Sequence, residues 1–146
     1  MNPTPETTAD RTHAEGADAP ALPTATLRRE VTAADTARTF GPTFPEAAST
    51  PFVLGLAEVA CHEAVAHELA AGQITVGVAA TISHQAPTPV GEILTAVATQ
   101  TGRKGGRRTF RVVLSDAAGQ CAVIEHERAI VEARLISDRL DNRPRA

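Results

Sequence analysis

Residues 50–84 read TPFVLGLAEVACHEAVAHELAAGQITVGVAATISH, and the period of the apolar positions changes at Gly72. Before it, Val53, Leu54, Leu56, Val59, Ala60, Ala64 and Val65 cover well over half of a helical surface. Such a helix has to be wrapped, most economically by a curved sheet. Thr50 and Pro51 mark its start, as a capping hydroxyl followed by a residue whose missing N–H costs nothing there. Gly72 marks its end as a natural C′ residue. After it the period is two: Ile74, Val76, Val78, Ala80, Ile82 and His84 share one face of a long strand, with Thr75, Gly77, Ala79, Thr81 and Ser83 on the other.

Three more strands follow, at residues 92–101, 107–115 and 120–134, joined by turns at Lys104-Gly105-Gly106 and at Asp116 to Gly119. A first strand fits within Leu22 to Thr32, and Gly41, Pro42 and Pro45 punctuate a loop before the helix. The order predicts an α+β domain over 22–136, with one long helix on one face of an antiparallel sheet. Residues 1–21 and 137–146 are polar and without period, and read as a disordered N-terminal tail and a flexible C-terminal tail.

The chain has 146 residues, 42% hydrophobic but only 3% aromatic, which suits a single core of Ala, Val, Ile and Leu. A net charge of −3 and the scarcity of aromatics argue against nucleic-acid binding, by phosphate attraction or by base stacking alike. No stretch approaches the ~20 apolar residues of a membrane span, and residues 1–20 lack the apolar segment of a secretory signal. A cytoplasmic protein with small molecules or its own copies as partners is expected. Cys61 and Cys121 stand apart in apolar surroundings and read as buried free thiols.

Glu58 stands in the middle of the most apolar helix, where a carboxylate needs partners or a proton. His84 ends the strand on the side of Ile82 and Ala80, so the pleat turns its ring toward the helix. His62 and His67 invite a metal reading, but five helical residues separate them by ~140° around the axis, too far to hold one ion. Glu63, His67 and Glu68 then form a solvated stripe. Gly102 to Arg108 (GRKGGRR) is basic and Gly-rich without the phosphate-loop spacing; it reads either as a solvated hairpin tip or as a rim for nucleotide phosphates. On the last strand Ala122, Ile124, His126, Arg128 and Ile130 share a side, and Arg128 on a partly apolar face needs an anionic or carbonyl partner.

Taken together, TPFVLGLAEVAC (50–61), GQITVGVAATISHQAPTPVG (72–91), GRRTFRV (106–112) and HERAIV (126–131) resemble the fluoroacetyl-CoA thioesterase family over about residues 38–134. The resemblance implies a hot-dog fold, an antiparallel sheet wrapped around one central helix. It implies thioester hydrolysis of a small, fluoroacetyl-like acyl-CoA. No cofactor is implied, the CoA being part of the substrate. By motif, the family's catalytic threonine, glutamate and histidine fall on Thr50, Glu58 and His84. Its pocket glycine falls on Gly77, its substrate-side arginine on Arg128 and a lid phenylalanine on Phe44. The second lid phenylalanine falls on Gly41, with Phe40 beside it. A homodimer with active sites at its interface is also implied.

Two geometric questions follow. A helix regular from Thr50 places Thr50 ~12 Å from Glu58, so either the helix starts later, near Gly55, or the constellation closes across a dimer interface. On a regular strand Gly77 and His84 alternate, so a bulge or twist is needed to bring both to one acyl group. The alternatives are a general short-chain acyl-CoA or acyl-carrier thioesterase, a hydratase of the same fold, and a non-catalytic acyl-thioester binding module. The hydratase lacks its Asp near the helix start, and the binding module would have lost Glu58 or His84.

Overall fold

The structure is a computed structural model and describes residues 22–146; the expected N-terminal tail lies outside them. Strand β1 spans Thr24–Glu30, helix α1 Thr50–Val65, and strands β2 to β5 span Gln73–His84, Ile93–Lys104, Arg107–Asp116 and Gly119–Glu132. The five strands form one sheet in the order β1-β3-β4-β5-β2, antiparallel at each pairing. β1 and β2 are therefore the edges. α1 packs against all five strands from one face, as its wide apolar surface requires.

The interface is built largely from small residues. Ala57, Ala60 and Ala64 of α1 meet Ala96, Ala98 and Ala122 of the sheet, and Phe110, Leu94, Leu114 and Ile124 fill the larger spaces. Among the described residues Phe110 is the only phenylalanine that is fully buried, and its truncation to Ala should cost about 3–5 kcal/mol. Both cysteines are free and buried, as expected.

Three expectations are corrected. The helix cap is Ser49, whose Oγ accepts from the Phe52 N–H at 3.2 Å. Thr50 and Pro51 are the first two helical residues, and the Thr50 hydroxyl is free for other work. α1 also ends earlier than Gly72 suggested: a 3₁₀ turn at Ala66–Glu68 follows Val65, and Gly72, at φ +82°, turns the chain into β2. Finally, the flexible tail expected from Ser137 is helical to Asp141, within a second helix α2, Ala133–Asp141. None of its residues is buried and Leu135 and Leu140 are exposed. The burial pattern that betrays α1 in the sequence is absent there.

β2 departs from simple alternation. Its register with β5 shifts between Gly77 and Ala79, a bulge at Val78. Gly77 pairs with Arg128, Ala80 with His126, Ile82 with Ile124 and His84 with Ala122. The extra residue changes the phase, so Thr75 and Gly77 share the helix side with Ala80, Ile82 and His84. Ile74, Val76 and Val78, read from the sequence as inward, point the other way.

Candidate active site

α1 and β2 run past each other along the open edge of the sheet, and the chemistry gathers at two points of that seam. At the helix start, Thr50 Oγ1 and His84 Nδ1 share a 2.9 Å hydrogen bond. His84 Nε2 is buried without a hydrogen-bond partner among the described residues. Both residues line a cleft of ≈ 360 Å³ with Phe44 and Ser49. A neighbouring cleft of ≈ 330 Å³ is lined by Phe40, Phe44, Thr50 and Pro51. Both rings are exposed, Phe40 at 64% and Phe44 at 49%. Arg38 donates from Nε to the Phe44 carbonyl at 2.6 Å and steadies the loop that carries them.

The second point lies two helical turns along. Glu58 Oε1 is 3.5 Å from Arg128 Nη1 and 3.7 Å from His126 Nε2. Arg128 and His126 are buried. A methyl group at Gly77 would collide with Glu58 Oε1, so the glycine is the space in which the carboxylate sits.

The protonation of this cluster follows from its donors and acceptors. The Ala79 carbonyl lies 2.8 Å from His126 Nδ1 and only accepts, so Nδ1 carries the proton. Nε2 then accepts from Arg128 Nη1 at 3.1 Å. A doubly protonated ring would point a donor at a donor. Burial accordingly pushes the His126 pKa below its ordinary value, with Arg128 adding to the effect and the Ala79 bond and Glu58 opposing it. His126 is a neutral prop for Arg128, and Arg128 is the charge that faces Glu58. Arg128 also donates from Nε to Thr75 Oγ1 at 2.9 Å and from Nη2 to the Thr75 carbonyl at 3.0 Å.

α1 is regular from Thr50, so the later helix start near Gly55 is excluded. Within one chain Thr50 and His84 are together, Glu58, Gly77 and Arg128 are together, and the two groups are separate. His126 was missed as a partner of Glu58; its place opposite Ala80, one pair from Gly77–Arg128, becomes visible only once the bulge is known. Glu68, read as part of a solvated stripe, instead accepts from buried Arg108 Nε at 3.0 Å and lies 3.9 Å from Arg103. Arg107 pairs with Glu127 at 3.2 Å. Three of the basic residues at 102–108 are thus held by the protein's own carboxylates, against the phosphate-rim reading.

Residues 31–134 match the family model described as fluoroacetyl-CoA-specific thioesterase. The fluoroacetyl-CoA thioesterase of Streptantibioticus cattleyicolor is 36% identical over 88 residues, which span 60% of this chain and 63% of that protein. A solved fluoroacetyl-CoA thioesterase superposes with a TM-score of 0.81 at 28% identity, over 86% of this chain and 97% of its own. A hot-dog-like protein from Thermanaerovibrio acidaminovorans superposes with a TM-score of 0.78 at 24% identity, over 87% and 94% of the two chains. The fold is the hot-dog fold, and the chain belongs to the fluoroacetyl-CoA-specific thioesterase family.

Proposed function

We propose that the protein hydrolyses a small acyl-CoA thioester of the fluoroacetyl type to the free acid and CoA, without a cofactor. The observation that carries this reading is Glu58. A helix-borne carboxylate sits in the space left by Gly77 with Arg128 at 3.5 Å, in a chain whose relatives bear thioesterase names. Hydrolysis needs a nucleophile at the thioester carbon, a proton for the departing thiolate and stabilisation of the oxyanion. Glu58 attacks the thioester carbon to expel CoA and form a transient anhydride that water then cleaves, or it activates water for direct attack; His84 carries the proton to the departing sulfur, and Thr50 orients the carboxylate. Arg128 turns its field toward a polar substituent such as C–F.

The protein works as a homodimer in this reading. Thr50 and His84 of one copy complete the site around Glu58 of the other, which reconciles the ~12 Å along the helix with a single reaction centre. The support is the β2 edge: a twelve-residue edge strand with Val78 exposed invites a partner strand, and Val59 of α1 is exposed as well.

A thiol-release assay over acetyl-, fluoroacetyl-, propionyl- and aromatic acyl-CoA tests the reading. A higher kcat/KM for fluoroacetyl- than for acetyl-CoA is expected, with the ratio reduced in Arg128→Gln; equal rates in the wild type would sink the fluoroacyl assignment. One observation favours a second reading, a general short-chain thioesterase: Phe40 and Phe44 leave the cleft open, and an open pocket discriminates acyl size by only ~1–3 kcal/mol per methylene.

A further inference from the structure

We infer that His62 is a positioning residue for the Glu58 site, acting on Arg128 through the hydroxyl of Thr75. The inference rests on the reading of Glu58 and Arg128 given above. His62 lies one helical turn beyond Glu58, on the same face of α1, and its Nδ1 is 2.7 Å from Thr75 Oγ1. Thr75 is buried at the centre of this link.

The proton positions can be followed along the chain of bonds. Arg128 Nε–H can only donate, so Thr75 Oγ1 accepts from it at 2.9 Å. Thr75 Oγ1 keeps one proton to donate, and among the described residues its one hydrogen-bonding neighbour besides Arg128 is His62 Nδ1, which we assign as the unprotonated acceptor. His62 therefore carries its proton on Nε2. With Nε and Nη2 tied to Thr75 and one Nη1 hydrogen given to His126, Nη1 keeps one hydrogen, and Nη1 stands 3.5 Å from Glu58 Oε1. Without an acceptor at His62 the Thr75 hydroxyl can rotate, and the Arg128 fork loses the anchor that fixes this direction. His62 has no contact with the clefts at Thr50 and acts only through this relay.

Steady-state kinetics and imidazole nitrogen NMR test the assignment, using the acyl-CoA of the panel that the wild type turns over fastest. His62→Leu should lower kcat about five- to tenfold, the size of one lost buried hydrogen bond, with KM within about twofold. His62→Asn, whose Oδ1 restores an acceptor near the Nδ1 position, should recover most of the loss; a merely structural role would not respond in this way. Thr75→Val should lower kcat equally, and adding His62→Leu to it should cost nothing more. The wild-type spectrum should show His62 Nδ1 without a proton. A protonated Nδ1, or additive losses in the double variant, would overturn the inference. Wild-type kcat in His62→Leu alongside an inactive Glu58→Gln overturns it alone, whereas full activity in Glu58→Gln overturns the site reading and this inference with it.

Discussion

The two ends of the α1–β2 seam are built on opposite plans. At the helix start a single hydrogen bond joins exposed Thr50 to His84, whose other ring nitrogen has no partner among the described residues. Two turns on, both nitrogens of buried His126 and three of the five donors of buried Arg128 are held by fixed protein partners, and Arg128 Nη1 still faces Glu58. A group with one bond can follow a substrate or a partner surface, while a group with four is set before anything binds. The Glu58 end is thus preorganised, and the Thr50 end is the one on which a second body can act.

The sharpest way to break this contrast is to disarm the preorganised end. Glu58→Gln keeps shape and removes the charge, and should lower kcat about 10²-fold or more with the melting temperature nearly unchanged. Thiol release and thermal denaturation of the same preparation check both halves; retention of a tenth of the activity would count against the assignment. Gly77→Ala tests the space rather than the charge. Because the added methyl would occupy the position of Glu58 Oε1, kcat should fall roughly tenfold or more although alanine suits a strand better than glycine. A crystal structure of the variant should show the carboxylate displaced.

At the other end, adjacent residues separate stability from activity. Ser49→Ala removes the cap of α1 and should cost about 1 kcal/mol, read as a drop of several degrees in Tm. Thr50→Val leaves the cap in place, so it should lower kcat by more than Ser49→Ala does while lowering Tm by less. Reversal of either order would show that Thr50 is structural.

The smallest effect concerns His126. Its pKa is lowered in the folded protein, so the unfolded chain binds the proton more tightly and stability declines as pH falls. The contribution is complete above the ordinary histidine value of about 6.5 and is lost progressively below it. Asp35 and Asp116, whose carboxyls are also held below the usual range, lose their contributions only below about pH 4. Tm measured from pH 7.5 to 5 should therefore fall in the wild type and fall less in His126→Asn, which keeps a donor for the Ala79 carbonyl. Parallel curves would show that His126 is not the group responsible.

The same contrast explains what the sequence made legible. The helix, the four later strands and the switch of period at Gly72 were readable because burial imposes a repeating demand on side-chain polarity. Glu58 stood out for the complementary reason, a carboxylate breaking an apolar run. The bulge at Val78 imposes no such demand, since Val76, Val78 and Ala80 look equally apolar on either face, so Thr75 and Gly77 were placed on the wrong side of β2. The Ser49 cap was hidden beside Thr50, an equally good capping residue. Glu68 and Arg108 lie forty residues apart in the chain, and nothing local announces their bond. Helix α2 buries no residue and so left no burial pattern to read.

Cys61 lies one turn from Glu58 on α1, and burial pushes its thiol up to about 12, Arg128 opposing this and Glu58 adding to it. A thiol raised this far stays protonated at neutral pH, and it is the thiolate that attacks carbonyl carbon. A cysteine of ordinary acidity in this place would compete with water for the acyl group and store it as an enzyme-bound thioester, exchanging one sulfur ester for another. Burial, which leaves Cys61 with no exposed surface, works against that side reaction. The packing that holds the helix in the sheet also keeps the neighbouring sulfur chemically silent.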